Sequence, residues 1–351
     1  MIISGYATID GTKEYFLKKG LEGEGIENGE YFNCSKIAIG TNLGDFSDED
    51  SKAYKETFSY GLNKGINFID TAINYRGMRS EGDIGEVLKK LIVEEKIIKR
   101  EEIIISSKGG QIFGDCLKGI RPMDYLNDKL FKGNILNKED VNIIDNRRHT
   151  MNPKFYKLCI EQSKENLNLK TLDIHYIHDP EISRFVLGEK RFYEELTELI
   201  KFYESQVEEG NIKHYGMATW EAFICSSESQ WHISLEKVMD IVKVVAGNNH
   251  NFRFIQLPYN KMNNAANTIK TQSINGKMYT AIEACKILDL NIIINAPLNQ
   301  MENIEGKGTM DELLRYVIET KGVFSTMVGM KKKENLINNM ESIFKNCIIK
   351  K

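Results

Sequence analysis

The sequence predicts an α/β chain folded as a closed (β/α)8 TIM barrel. Short β-rich runs recur along it, each followed by a longer segment with helical spacing of apolar residues. Eight such pairs occur in 351 residues, a length that favours a closed barrel over an open doubly wound sheet.

In order, the predicted strands are 36–41, 67–72, 102–108, 172–178, 212–219, 254–259, 291–297 and 323–330. The helices between and after them are 48–65, 80–92, 153–168, 192–210, 234–247, 281–290, 310–322 and 332–346. In the first of these, Asp48 is expected to cap the start and Gly65 to stop the helix. Two parts exceed a minimal barrel. Residues 1–35 form an N-terminal extension, rich in Gly and Glu near its end, expected to cover the bottom or side of the barrel at 36–351. Residues 109–152 form a long insertion after the third strand, far longer than an ordinary βα connection. Such a loop sits at the barrel mouth, where it is expected to form a substrate lid or pocket wall.

With 41% hydrophobic and 28% charged residues, the composition is that of an ordinary globular chain. The 47 basic and 50 acidic residues leave a formal net charge of −3. No chain-wide basic field exists to hold nucleic acid or an anionic membrane. Cys34, Cys116, Cys159, Cys225, Cys285 and Cys347 are scattered singly and read as reduced thiols. The start has no basic segment followed by an apolar run, and no stretch is apolar enough to span a bilayer. These features read as a cytoplasmic protein.

Catalytic groups of a barrel project from the C-terminal ends of its strands. Asp70, Lys108 and His178 end the second, third and fourth strands, and Tyr75 follows in the loop after Asp70. Together they suit proton transfer to an oxygen that turns negative as hydride reaches carbon. Lys108 is expected to lower the Tyr75 pKa, Asp70 to keep Lys108 charged, and His178 to donate to a carbonyl oxygen. His175 lies on the opposite strand face and reads as structural. A metal hydrolase would want a His-x-His at the first strand end, where Gly40-Thr41-Asn42 stands, so no metal is expected.

The spans GINFIDTAINY (65–75), IIISSKGG (103–110) and DIHYIHDP (173–180) resemble the aldo-keto reductases. The resemblance continues through GNIKHYGMATW (210–220), IQLPYN (255–260), NAPLNQ (295–300) and STMVGMKKKENLINN (325–339), in the family's order. It implies an NAD(P)H-dependent oxidoreductase interconverting a carbonyl, aldehyde or ketone, with an alcohol. Tyr75 would be its general acid and base, and Asp70, Lys108 and His178 would complete the catalytic tetrad. The implied cofactor is NADP(H), with NADPH preferred over NADH, stretched across the barrel mouth. Gln256 matches the position that grips the nicotinamide carboxamide, and Asn339 one near the adenine. Gly329, Lys331, Lys332 and Asn335 fall in the matching phosphate region, where either lysine could pair with the 2′-phosphate. The Ser-Asn pair common after the fifth strand is here Ala218-Thr219, and Asn295 stands where an aromatic residue often stacks on the nicotinamide.

Two other readings remain open: a nucleotide-binding regulatory or redox-sensing subunit with little turnover, and a lyase forming a Schiff base on Lys108. Within the insertion, Arg147, Arg148 and His149 read as solvated, while Trp220, Phe113 and Tyr176 are candidates for an apolar substrate wall.

Overall fold

Parallel strands covered on both faces carry near-continuous apolar runs, and these runs become the barrel staves. The computed structural model describes residues 1–302 and 304–344; the Cys347 thiol and the end of the last predicted helix lie outside them. The chain opens with a helix, Ile9–Lys18, and an antiparallel hairpin of β1 (Ile26–Asn28) and β2 (Asn33–Ser35). Next come β3 (Ile37–Gly40), β4 (Phe68–Asp70) and β5 (Ile104–Gly109). A hairpin of β6 (Asn142–Ile144) and β7 (Arg147–His149) precedes β8 (Leu172–His178), β9 (Ile212–Ala218) and β10 (Phe252–Pro258). A further hairpin, β11 (Lys270–Ile274) and β12 (Lys277–Thr280), precedes β13 (Asn291–Asn295) and β14 (Val323–Gly329). The barrel closes in the order β3, β4, β5, β8, β9, β10, β13, β14 and back to β3, all pairs parallel. The predicted (β/α)8 barrel is therefore the observed fold.

Two apolar layers hold it. Ala38, Phe68, Ile104, Ile174, Phe254 and Ile293 fill the interior, while a larger layer joins the outer strand faces to the helices. Phe32, from the first hairpin, closes the N-terminal end of the interior. Its ring stacks on Phe254 with centroids 5.6 Å apart and meets Phe324 edge-on at 5.9 Å. The N-terminal segment is also tied to β8, where the buried Asp173 accepts from the Ala7 amide at 2.6 Å and from Arg100 at 2.7 Å.

The helices differ from expectation at their ends. Ser47, not Asp48, caps Asp48–Lys64 by accepting from the Asp50 amide at 3.2 Å, and Gly65 ends that helix at φ 130°. The helical stretch Glu181–Glu208 starts ahead of the predicted 192, because a short helical segment precedes the predicted helix across a break at Gly188 (φ 74°, ψ 172°). The hairpin β11–β12 is absent from the sequence reading, although Asn275 and Gly276, both at positive φ, make the two-residue turn it needs.

The insertion 109–152 is folded rather than draped over the mouth. Ile112, Phe113, Tyr125, Leu126, Leu130 and Leu136 pack with Phe155 and Cys159 of the helix Pro153–Leu167. Most of its apolar residues are engaged in that packing, while Gln111, at its start, reaches the wall of the cavity at the barrel mouth. Hairpin β6–β7 is pinned to the helical stretch after β8, Glu181–Glu208: His149 Nδ1 lies 2.6 Å from Ser183 Oγ, and Asn142 donates to the same oxygen at 2.8 Å. His149 is thus fully buried, contrary to its solvated reading, and the apolar environment lowers its pKa to about 3.

Candidate active site

The C-terminal strand ends surround one cavity of about 240 Å³. Asp70 from β4, His178 from β8, Ala218 from β9, Gln256 from β10 and Asn295 from β13 all reach its wall, with Tyr75 from the turn after β4. Asp70, Tyr75 and His178 therefore meet on one cavity, and Lys108 stands directly behind them.

Lys108 is completely buried. It donates to Asp70 Oδ2 at 2.6 Å and to the Thr71 carbonyl at 2.8 Å. Asp70 is held from its other oxygen too, accepting from Ser106 Oγ at 2.7 Å and Gln256 Nε2 at 3.1 Å. A buried charge without its partner is costly, and this lattice fixes both groups before any ligand arrives. Burial pulls the Lys108 pKa down, and the Asp70 carboxylate opposes that shift. Because Lys108 does not reach the cavity wall and its ammonium is already engaged, the Schiff-base reading lacks its nucleophile.

Tyr75 is half-buried, with the Lys108 ammonium 4.7 Å from its ring centroid and the His178 ring edge-on at 5.7 Å. Its pKa is raised well above the usual phenol value, first by burial and then by Asp70 and Asp179. The lowered pKa expected from Lys108 is not found. The lysine sits over the ring face, and its charge is balanced by Asp70. His178 is 6% exposed, and burial followed by the Lys108 charge holds its pKa well below the usual imidazole value. It is a neutral ring near pH 7, able to donate one N–H.

The polar residues of the wall missed from sequence include Asp179, Gln111 and Asn74. Asp179 follows His178 and takes φ 54°; its amide donates to the Ala218 carbonyl at 2.8 Å. Its Oδ2 accepts from Gln111 Nε2, and Gln111 Oε1 accepts from Asn74 Nδ2 at 3.2 Å. Burial, then the nearby Glu181, raises the Asp179 pKa well above the carboxylate range, and burial lifts Glu181 to about 7. The strand-end rule that located His178 extends to its neighbour Asp179. No sequence signal marks Asn74 or Gln111.

The remaining predicted residues divide. Gln256 is on the cavity wall, and Thr219 is buried beside it, its amide donating to the Gln256 carbonyl at 2.9 Å. Thr219 Oγ1 and Asn295 Oδ1 are buried without a hydrogen-bond partner among the described residues. Gly329 reaches the cavity rim, Lys332 and Asn335 are exposed, and Asn339 is half-buried on the helix Lys333–Phe344. Lys331 is paired with Asp50 through both carboxylate oxygens, at 2.8 and 2.9 Å. Trp220 lines the cavity, but Phe113 lies in the insertion core and Tyr176 inside the barrel, so neither forms the substrate wall. Buried side chains could not be told from pocket side chains by residue type alone.

The sequence profile of the aldo/keto reductase family matches residues 36–347. Among solved structures, an aldo-keto reductase from Bacillus halodurans in its holo form is 15% identical, covering 92% of this chain and 90% of its own, with a TM-score of 0.59. One from Klebsiella pneumoniae in complex with NADP and acetate is 16% identical over 90% of this chain and 88% of its own, with a TM-score of 0.57. Another structure from Klebsiella pneumoniae, in complex with NADPH, is 16% identical over 90% and 87% of the two chains, with a TM-score of 0.58. Among curated proteins none matches the sequence.

Proposed function

This chain belongs to the aldo/keto reductase family, and from that premise we propose that it is an NADP(H)-dependent oxidoreductase interconverting a small carbonyl compound and its alcohol. The observation that carries the reading is the meeting of Asp70, Tyr75 and His178 on one cavity with Lys108 buried behind them. NADP(H) is inferred from the Klebsiella structures, which hold NADP or NADPH.

The residues present fit such a cofactor. The unpartnered Asn295 Oδ1 and Thr219 Oγ1 match the N–H donors of a nicotinamide carboxamide, with Gln256 between them on the wall. Gly329, Lys331, Lys332, Asn335 and Asn339 would hold the phosphate and adenine end. When bound, the nicotinamide supplies the hydride. His178, neutral near pH 7, orients the carbonyl oxygen by donating its N–H, and Tyr75 delivers the proton as that oxygen becomes an alkoxide. A phenol with a raised pKa stays protonated at neutral pH, the form in which Tyr75 can act as the proton donor in reduction.

Fluorescence titration with NADPH and NADH, followed by turnover on aldehydes and ketones, tests the reading. Saturable NADPH binding with cofactor oxidation supports it, and no binding of either nucleotide contradicts it. Binding without turnover would favour the second reading, a nucleotide-binding regulatory subunit. That reading draws on the high Tyr75 pKa and on the Lys108 ammonium lying over the ring.

A further inference from the structure

Asp179 occupies a position on the cavity wall that the tetrad does not use. Its Oδ1 is 3.9 Å from His178 Nε2, too far for a hydrogen bond and, with a neutral imidazole, no ion pair. That separation is less than two hydrogen-bond lengths of about 2.9 Å. A carbonyl oxygen held by His178 Nε2 therefore brings a substituent on the adjacent carbon within reach of Asp179 Oδ1. Gln111, itself held by Asn74, ties down Oδ2 and leaves Oδ1 without a hydrogen bond among the described residues. The side chain is aimed by a backbone at φ 54°, a conformation that few residues other than Gly adopt, although Asp does so more readily than most.

We propose that Asp179 selects substrates bearing a hydroxyl on the carbon next to the carbonyl, binding that hydroxyl while His178 holds the carbonyl oxygen. This rests on the reductase reading above. A hydroxyl both donates and accepts, so it satisfies the Asp179 carboxyl in either protonation state. Asp179 is 7% exposed, so an analogue lacking the hydroxyl leaves a buried polar group unpaired in the complex, which penalises that analogue. Trp220, Leu298 and Met301 supply an apolar part of the same wall, suited to the carbon skeleton beyond the hydroxyl.

The test compares kcat/KM for acetoin, its methyl ether and butanone with NADPH, in the wild type, Asp179→Ala and Asp179→Asn, with NADPH affinity measured by fluorescence. The ratio of acetoin to butanone should fall roughly tenfold in Asp179→Ala, the scale of one lost hydrogen bond. Asp179→Asn, whose amide can still bond both Gln111 and the hydroxyl, should recover part of it. In the wild type, the methyl ether should be used more poorly than acetoin, a readout that needs no variant to fold. An Asp179→Ala protein that turns over with the wild-type ratio, or a wild type that uses ether and ketol equally, overturns this inference alone. So does reduction of nitrobenzaldehyde without reduction of acetoin. A wild type that binds no NADPH, or reduces none of these compounds, overturns the reductase reading and this inference with it.

Discussion

At the ends of β4, β5 and β8, Asp70, Lys108 and His178 are almost wholly buried, and the first two are locked to each other. At the end of β14, Gly329, Lys332 and Asn335 lie exposed. Both groups stand on the C-terminal rim of one barrel, yet only the first is complete without a ligand. The proposed proton-transfer side is over-determined by hydrogen bonds: Asp70 alone takes one each from Lys108, Ser106 and Gln256. The proposed phosphate side presents an exposed Lys332 and a Lys331 already paired with Asp50. Under the proposed function, geometry is fixed in advance on the side where bonds would be made and broken, and the other side would complete its contacts only with a phosphate.

Substitution at each end should reveal this difference most strongly in stability. Lys108→Met removes one partner of a buried pair and should destabilise the fold by about 3–5 kcal/mol. Lys332→Met should change it by less than about 0.5 kcal/mol. Urea unfolding of the two variants checks both, and comparable losses would break the contrast.

The buried side extends to His149, whose pKa of about 3 in the fold lies below its unfolded value near 6.5. A depressed folded value means that the neutral ring's contribution is present above about pH 6.5 and is lost as pH falls toward 3. The wild type's stability advantage over His149→Gln should therefore shrink by on the order of 2 kcal/mol between about pH 7 and pH 5. Using the difference between two proteins cancels the other titrating groups. An advantage that stays constant with pH would place His149 in a more polar setting than its burial indicates.

On the exposed side the effects should be smaller and salt-dependent. Lys331→Ala should weaken NADPH binding by roughly tenfold, and Asp50→Asn, which frees the lysine, should tighten it by about two- to threefold. Both effects should diminish at high ionic strength. Fluorescence titration at two salt concentrations reads them, and no response to either substitution would remove Lys331 from the phosphate site. The smallest change expected is in the pH profile. With Tyr75 shifted up and His178 shifted down, neither titrates near neutrality, so any inflection of the reduction rate between about pH 6 and pH 9 should come from Asp179 and Glu181 and disappear in the variant carrying Asp179→Asn and Glu181→Gln. A bell centred near neutrality that persists in that variant would contradict those shifts.

Much of this architecture was legible in sequence, because barrel strands are apolar runs with ionisable residues at their ends, as Asp70, Lys108 and His178 are. Hairpin β11–β12 was missed although Asn275-Gly276 signals its turn, because the segment lay between a strand and a helix already accounted for. His149 was misread because strand alternation gives it the same face as the exposed Arg147, whereas the close of the hairpin packs it against Ser183, a long-range contact that no local pattern signals. The direction of the Tyr75 shift was not legible at all. It depends on whether Lys108 meets the hydroxyl or the ring face, a matter of ångströms within one pocket. Gln111 reaches the cavity from the start of the folded insertion, and it meets Asn74, in the loop after β4, only through a contact across the mouth that no local pattern reveals.

The most direct test of the central claim is single-turnover oxidation of bound NADPH by a carbonyl substrate in the wild type and in Tyr75→Phe, with NADPH affinity measured on both. The account predicts a rate lowered by roughly 10²- to 10⁴-fold in the variant with cofactor affinity retained. A variant that binds NADPH and oxidises it at the wild-type rate would contradict it.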